Sequence, residues 1–415
     1  MRHLVPGAAA RAARESAPEP PVLTAADPAS FGWTVVHRRL PRAAEQARNA
    51  NPYLPEQTGA LDRLVAELSG AVGPLTDDGP DTATWREWGK GHVGKAWDEV
   101  PLLWAETFFH RRLLAAVDFF VPGPWHWLDP FAHLKTAQLV DPLLQAELAE
   151  LDWVTDVDPD RRARALLMAA VRGARADLGV AAHSARFGPD GAADEPDPTL
   201  VVDDSAALWE LLAAGPAVVC LVVDNAGREL LADLLLVDEL LESGRAGEVL
   251  LHVRPVPFHV VDATASDVAA ALRRLGDAGG YAATAARRLR EAFRGGRIRL
   301  RTSWFHVGPL GFDAMAGELA ADVSGAGLTI LKGDLNYRRL VGDRAWPPGT
   351  GLAHATAHLP GPVVALRTLE SEVVVGVPEA RTAELDRRAP DWRIAGTHAL
   401  VQLVPGRAAS AGPAG

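Results

Sequence analysis

The sequence predicts an α/β fold: a mainly parallel, doubly wound sheet preceded by a largely helical region. Three observations carry the prediction. Short β-branched runs recur after residue 200. Helix-period stretches alternate with them. Before residue 187, apolar residues recur instead at three- and four-residue spacing.

The strand candidates are Ala217–Val223, Glu248–Val253, Arg297–Thr302, Leu328–Leu331, Pro362–Leu366 and Glu372–Gly376. Near-continuous apolar runs suit strands covered on both faces, as in a parallel sheet. The helix patterns Ala226–Ser243 and Ala265–Leu275 lie between them, and such alternation argues for double winding. In the first part, Ala60–Leu68, Leu102–Phe120 and Leu139–Leu151 read as helices. Phe187–Leu200, rich in Gly, Pro and Asp, reads as the linker. The division expected is a disordered tail over 1–28, a helical region over 29–195, an α/β catalytic domain over 196–405 and a second tail over 406–415.

Composition narrows the function classes. The 415 residues carry 42 Lys+Arg against 53 Asp+Glu, a net charge of −11. Nucleic acid and anionic membrane surfaces both need clustered positive charge, so neither is an expected partner. The single cysteine, Cys220, excludes a disulfide framework, a Cys-rich zinc site and an iron–sulfur cluster, and reads as inert packing. No run reaches the roughly 18 apolar residues of a membrane span, and the N-terminus lacks the apolar core of a signal peptide. A cytoplasmic protein is expected; oligomeric state is left open.

In open α/β sheets, ligands bind beyond the carboxyl ends of the strands. Asp224 and Asn225 follow the first strand candidate, and Asp262 follows the second. Lys332, Gly333, Asp334, Asn336 and Arg338 follow Leu328–Leu331, and Arg367 and Thr368 follow Pro362–Leu366. Carboxylate and carboxamide oxygens without cysteine suit a hard divalent cation. The helix start after Asn225 favours an anion. Together they suggest phosphate chemistry, although Asp224 or Asn225 could equally be a helix cap and Asp262 a turn residue.

Val222–Leu241, His252–Thr264, Leu331–Asp343 and Pro362–Gly376 resemble the metal-dependent damage-control phosphatases (domain of unknown function 89), in their acidic-residue-methyltransferase-like subgroup. Trp104–Leu113 resembles a helix of that family's N-terminal region, and the likeness spans about Phe31 to Val404. The resemblance implies a three-layer α/β/α sandwich behind a helical region. It also implies hydrolysis of phosphomonoesters of small metabolites, typically sugar phosphates, with Mn²⁺, Co²⁺, Ni²⁺ or Mg²⁺. It places the metal ligands on Asp224, Asn225 and Asp262, and the substrate-contacting segment on Asp334, Leu335, Asn336, Tyr337 and Arg338. Lys332 and Arg338 would hold phosphate oxygens, and Asp334 would orient or deprotonate the attacking water or, equally, bind metal or a sugar hydroxyl. Glu106 and Arg111 would close the pocket from the helical region, against the alternative of a solvated or interdomain salt bridge. The subgroup's Arg-Thr-any-Lys pattern reads Arg367, Thr368, Leu369, Glu370 here. A carboxylate therefore stands where a phosphate-binding ammonium is expected, which bears on substrate choice. The subgroup's name also records a carboxyl methyltransferase using S-adenosylmethionine, but no acidic Gly-rich loop follows the first strand. A non-catalytic metal- or metabolite-binding relative is the third reading.

Other motifs read as structural. GKGHVGKA, Gly89–Ala96, lacks the hydroxyl of a phosphate loop and reads as a Gly-rich connection. His354 and His358 read as one polar helix face. His252, His259 and His306 read as supporting groups rather than ligands. The 12 Trp read mainly as core.

Overall fold

The computed structural model describes residues 19–173, 199–347, 349–404 and 406. The proposed boundary at 195, most of the 187–200 linker, residues 1–18 of the N-terminal tail and all but Gly406 of the C-terminal tail lie outside them.

The helical region comprises a helical entry over Phe31–Arg39, then α1 (Leu40–Ala50), α2 (Pro55–Glu67), α3 (Thr82–Trp88), α4 (Leu102–Ala116), α5 (Ala132–Leu139), α6 (Pro142–Glu150) and α7 (Pro159–Arg172). Pro at the first turn of α2, α6 and α7 pre-sets φ without losing a needed donor. Asp141 and Asp158 cap α6 and α7 by accepting from Leu143 N and Arg161 N. The reading of Leu139–Leu151 as one helix is corrected: Asp141 and Pro142 break it, because a proline ring and a cap both start a helix rather than continue one.

The second part runs β1 (Leu200–Asp203), α8 (Ser205–Leu212), β2 (Ala217–Val222), α9 (Arg228–Glu242), β3 (Ala246–Val253), α10 (Ala265–Ala278), α11 (Gly280–Arg294), β4 (Ile298–Thr302), α12 (Gly317–Gly325), β5 (Leu328–Lys332), α13 (Gly333–Val341), β6 (Val363–Thr368), α14 (Glu379–Arg388) and β7 (Ala399–Val404). The sheet order is β1-β7-β6-β5-β2-β3-β4. Every pairing is parallel except β6 with β7. Alternate residues of β2 feed opposite faces. Val219 and Leu221 join a core with α9, α10 and α11, while Cys220 and Val222 join one with α12, α13 and α14. This is the expected three-layer sandwich.

The expected strand over Glu372–Gly376 is not formed. Val373 and Val375 are buried, but side chains satisfy their backbone. The Val373 carbonyl accepts from Arg367, and Val375 N donates to the Tyr337 hydroxyl. A β-branched run therefore enters the core without a partner strand. Two strands not anticipated, β1 and β7, complete the sheet.

Two boundaries of the sequence reading also shift. Residues 19–28 are not a loose tail. Leu23 N donates to the Asp343 carbonyl, Ala345 N to the Pro21 carbonyl, and Leu102 N to the Leu23 carbonyl, so this strap ties α4 to the loop after α13. Likewise Leu144, Leu148, Leu166, Leu167 and Val171 of α6 and α7 share the core of α9–α11. These two helices belong to the layer over the sheet, whereas α1–α4 build a separate aromatic-rich core.

Beneath the sheet end, His252 of β3 lies 3.2 Å from Asp322 and 3.4 Å from His306. Burial pushes His252 down to about 4, with Arg301 adding to this and Asp322 opposing it. The unfolded chain therefore binds a proton near the ordinary value while the folded chain refuses it. Stability contributed by neutral His252 is present above that ordinary value and is lost as pH falls toward 4. Between pH 7 and pH 5 the loss amounts to about 2 kcal/mol. His252→Gln is expected to remove this part of the slope in urea titrations at the two pH values; an unchanged difference refutes it.

Candidate active site

The chain adds β3 and β4 on one side of β2 but returns to place β5 on the other. The crevice beyond the carboxyl ends of β2 and β5 is thus the topological switch point, where open sheets bind ligands. Asp224 and Asn225 leave β2 into this crevice, and Gly333 and Asp334 leave β5 into it. Gly333 has φ +81°, and a Cβ there would stand 1.9 Å from Asp224 Oδ2. Only glycine lets the β5 turn lie against that carboxylate.

Asp262 arrives from β3 through a short return loop. Asn225 and Asp262 form an antiparallel bridge, Ala226 N donates to the Val261 carbonyl at 2.7 Å, and Ala263 N donates to the Asp224 carbonyl at 2.9 Å. The two expected metal-ligand segments are therefore laced backbone to backbone. Arg254 lies between their side chains, donating from Nη2 to Asp224 Oδ1 at 3.0 Å and from Nε to Asp262 Oδ2 at 3.2 Å. Sequence reading passed over Arg254; its place directly after β3 was the available signal.

The electrostatics are unequal. Burial raises Asp224 well above the usual carboxyl range. Arg254 opposes this, while Glu229, Asp262 and Asp334 raise it further. Burial also acts to raise Asp262, but Arg254 and His259 outweigh it and hold that carboxyl far below the usual range. His259 contributes its backbone N–H at 3.1 Å and its ring Nδ1 at 3.4 Å, both to Asp262 Oδ2.

Could these residues hold a divalent cation? Among the described residues, Asp224 Oδ2, Asp262 Oδ1 and Asn225 Oδ1 make no hydrogen bond, and all are hard oxygen donors of the right kind. Among those residues no three His, Cys, Asp or Glu are grouped as a metal site, so a carboxamide oxygen has to complete the set. The donor chemistry fits.

Asp334 is held firmly. Its Oδ1 accepts from Arg367 Nε at 2.8 Å, Ser371 Oγ at 3.0 Å and Glu370 N at 3.1 Å. Glu370 is exposed on the rim, and its carbonyl accepts from Arg39 of the helical region at 3.4 Å. Leu335, which follows Asp334 in the chain, is half-buried. Arg338 donates to Asp343 at 2.7 and 3.0 Å and to Glu106 of α4 at 2.7 Å. Burial would raise Glu106, but Arg338 and the nearby His259 and His110 bring it down to about 2. Glu106 thus forms a buried ion pair between the helical region and α13, which is the salt-bridge alternative of the sequence analysis.

Four expectations are corrected. Lys332 does not face substrate: its buried ammonium lies 3.1 Å from Asp233 and 3.6 Å from Glu229, and it also donates to the Ala170 carbonyl. Arg111 is fully buried between Asp77 and Asp81 and stacks on Phe120, so it holds the helical region together. Asn336 turns inward, donating to the Lys332 carbonyl at 2.8 Å. Tyr337 lies in the core, bonded to Val375 and Gln402 beneath the Arg367 guanidinium. The last two follow from the placement of α13, whose residues 336 to 341 are all buried. His354 and His358 do not share a helix, because that turn ends at Ala355. Gly89–Ala96 is a run of turns, as expected of a connection.

The family model described as "Damage-control phosphatase ARMT1-like domain" matches residues 35–385. The zebrafish (Danio rerio) protein named damage-control phosphatase ARMT1 is 27% identical over 92% of this chain and 97% of its own length. Its Xenopus tropicalis namesake is 27% identical over 93% and 99%. A solved DUF89 family protein from Pyrococcus horikoshii is 14% identical, with a TM-score of 0.48 over 89% of this chain and 96% of that one. With the family model covering most of the chain, this protein belongs to the damage-control phosphatase ARMT1-like family.

Proposed function

We propose that this protein is a metal-dependent phosphatase of the cytoplasm that hydrolyses phosphomonoesters of small metabolites, sugar phosphates first among them. The observation that carries the reading is the meeting of Asp224, Asn225 and Asp262 with the Gly333–Asp334 turn at the switch point. Asp224, Asn225 and Asp262 hold the cation, with Mn²⁺, Co²⁺, Ni²⁺ and Mg²⁺ the candidates. Such an ion, when bound, polarises a phosphoryl oxygen and acidifies a water.

The chain's own groups do the rest. The first backbone N–H groups of α13 lack helical acceptors and receive the phosphoryl anion, a role the sequence reading gave to Lys332, Arg338 and the helix start after Asn225. Asp334, with Oδ1 saturated by Arg367, Ser371 and Glu370 N, keeps Oδ2 to orient the attacking water. Arg338 is already balanced by Glu106 and Asp343, so it shapes the pocket edge rather than drawing in charge. Glu370 on the rim places a negative charge there, which disfavours a second anionic group on the substrate.

The test is phosphate release from a panel of sugar phosphates with each of the four metals and after chelation. Release that stops on chelation and returns with metal is expected, and Glu370→Lys is expected to raise rates on doubly phosphorylated sugars. No release with any metal refutes the reading.

A further inference from the structure

A carboxamide has two unlike ends, and a metal ion takes only the oxygen. Nothing in Asn225 itself decides which end is presented. Glu229 stands four residues on, in the first turn of α9, and its Oε2 accepts from Asn225 Nδ2 at 3.0 Å. An ionised carboxylate offers only acceptors, so the NH₂ end is the one that must face it.

Glu229 is itself held from three sides. It is 5% exposed, and its Oε1 lies 3.6 Å from Lys332 Nζ. A Cβ at Gly173, just past the end of α7, would come within 3.0 Å of its carboxylate, so the α7 terminus packs directly on it. Lys332 also pairs with Asp233 and donates to the Ala170 carbonyl in the last turn of α7, where helix carbonyls carry excess negative charge. The Thr368 hydroxyl donates to the next carbonyl, Val171, at 3.1 Å. The end of α7, the start of α9 and the end of β5 are thus clamped around one carboxylate.

We propose that Glu229 is a positioning residue: held by Lys332 and the end of α7, it turns the Asn225 carboxamide so that oxygen, and not nitrogen, is presented to the cation. This rests on the metal-site reading above. Lys332 then serves catalysis at one remove, by fixing Glu229, rather than by touching phosphate.

Calorimetric titration of the folded full chain with Mn²⁺, checked by near-UV circular dichroism, tests it. In Glu229→Gln the new carboxamide no longer dictates which end of Asn225 faces it, so Mn²⁺ affinity is expected to fall roughly ten- to hundredfold, as for other outer partners of metal ligands. The exchange Asn225→Asp with Glu229→Gln is expected to regain most of that loss, because aspartate has no wrong end and Gln can donate to it. A purely structural Glu229 would show no such rescue. Unchanged Mn²⁺ affinity in Glu229→Gln, or an exchange no better than Glu229→Gln alone, overturns the inference. Should Glu229→Gln fail to fold, Asn225→Asp decides. Weaker Mn²⁺ binding than wild type is expected despite the added charge, because its carboxylate would face Glu229 without a donor; tighter binding overturns the inference. Wild-type protein that binds none of Mn²⁺, Co²⁺, Ni²⁺ or Mg²⁺ removes the metal reading and this inference together, and is recognised before any variant is made.

Discussion

Asp224→Ala is expected to lower phosphate release by about a thousandfold or more, beyond the ten- to hundredfold typical of losing an outer partner of a metal ligand. The variant should remain folded. Asp224 is buried, and Glu229, Asp262 and Asp334 all disfavour its charged form, with Arg254 the chief group opposing them. The fold therefore gains little from this carboxylate, while the site depends on it. Functional sites commonly hold such costly groups. The kcat/KM of the variant at saturating Mn²⁺, beside its thermal melt, checks both halves. Wild-type turnover in a folded Asp224→Ala protein would move the active site elsewhere.

The largest stability effect is expected at Arg338. Its guanidinium is buried and bonded to Asp343 on its own loop and to Glu106 on α4. Removing one member of a buried charged cluster leaves the others desolvated and unpaired, at a cost of about 3–5 kcal/mol. Arg338→Met should therefore shift urea unfolding by about that much. The pair Arg338–Glu106 joins the helical region to the sheet domain. A double-mutant cycle with Glu106→Gln should show strong coupling, because once Arg338 is gone the second change removes a charge rather than a bond. A loss under about 1 kcal/mol would show that water reaches the cluster and screens it.

The layers of the fold were largely legible in the chain. β2, β3, β5 and β6 coincide with apolar runs to within a residue or two, because a strand covered on both faces has to be apolar throughout, whereas the edge strand β4 coincides with the mixed run Arg297–Thr302 and is mostly exposed. β1 escaped notice as four residues at the edge of a linker, and β7 because its run ends against a terminal segment. The opposite error, at Glu372–Gly376, has the same root. Val373 and Val375 are β-branched for burial, not for pairing, and hydrogen bonds from Arg367 and Tyr337 replace those of a ladder.

The candidate site divides in the same way. Asp224, Asn225 and Asp262 could be picked out because they follow strands, and strand ends in a parallel sheet share one edge. Glu106 was drawn toward the pocket only through family resemblance, and its partner Arg338, 232 residues on, was not foreseen.

By itself, the sequence determined the sandwich and the sheet edge to which Asp224, Asn225, Asp262 and Asp334 are brought, since periodicity and strand order fix which residues reach that edge. Only the tertiary structure decided where each charged side chain points. Lys332 sits at the site's edge in sequence, yet its four-carbon stem carries the ammonium back under the sheet to Glu229, Asp233 and the end of α7. Arg111 likewise goes to Asp77 and Asp81. A long cation finds its lowest free energy beside whichever buried carboxylates the fold has already assembled, and those partners are set by packing between distant segments rather than by neighbours along the chain.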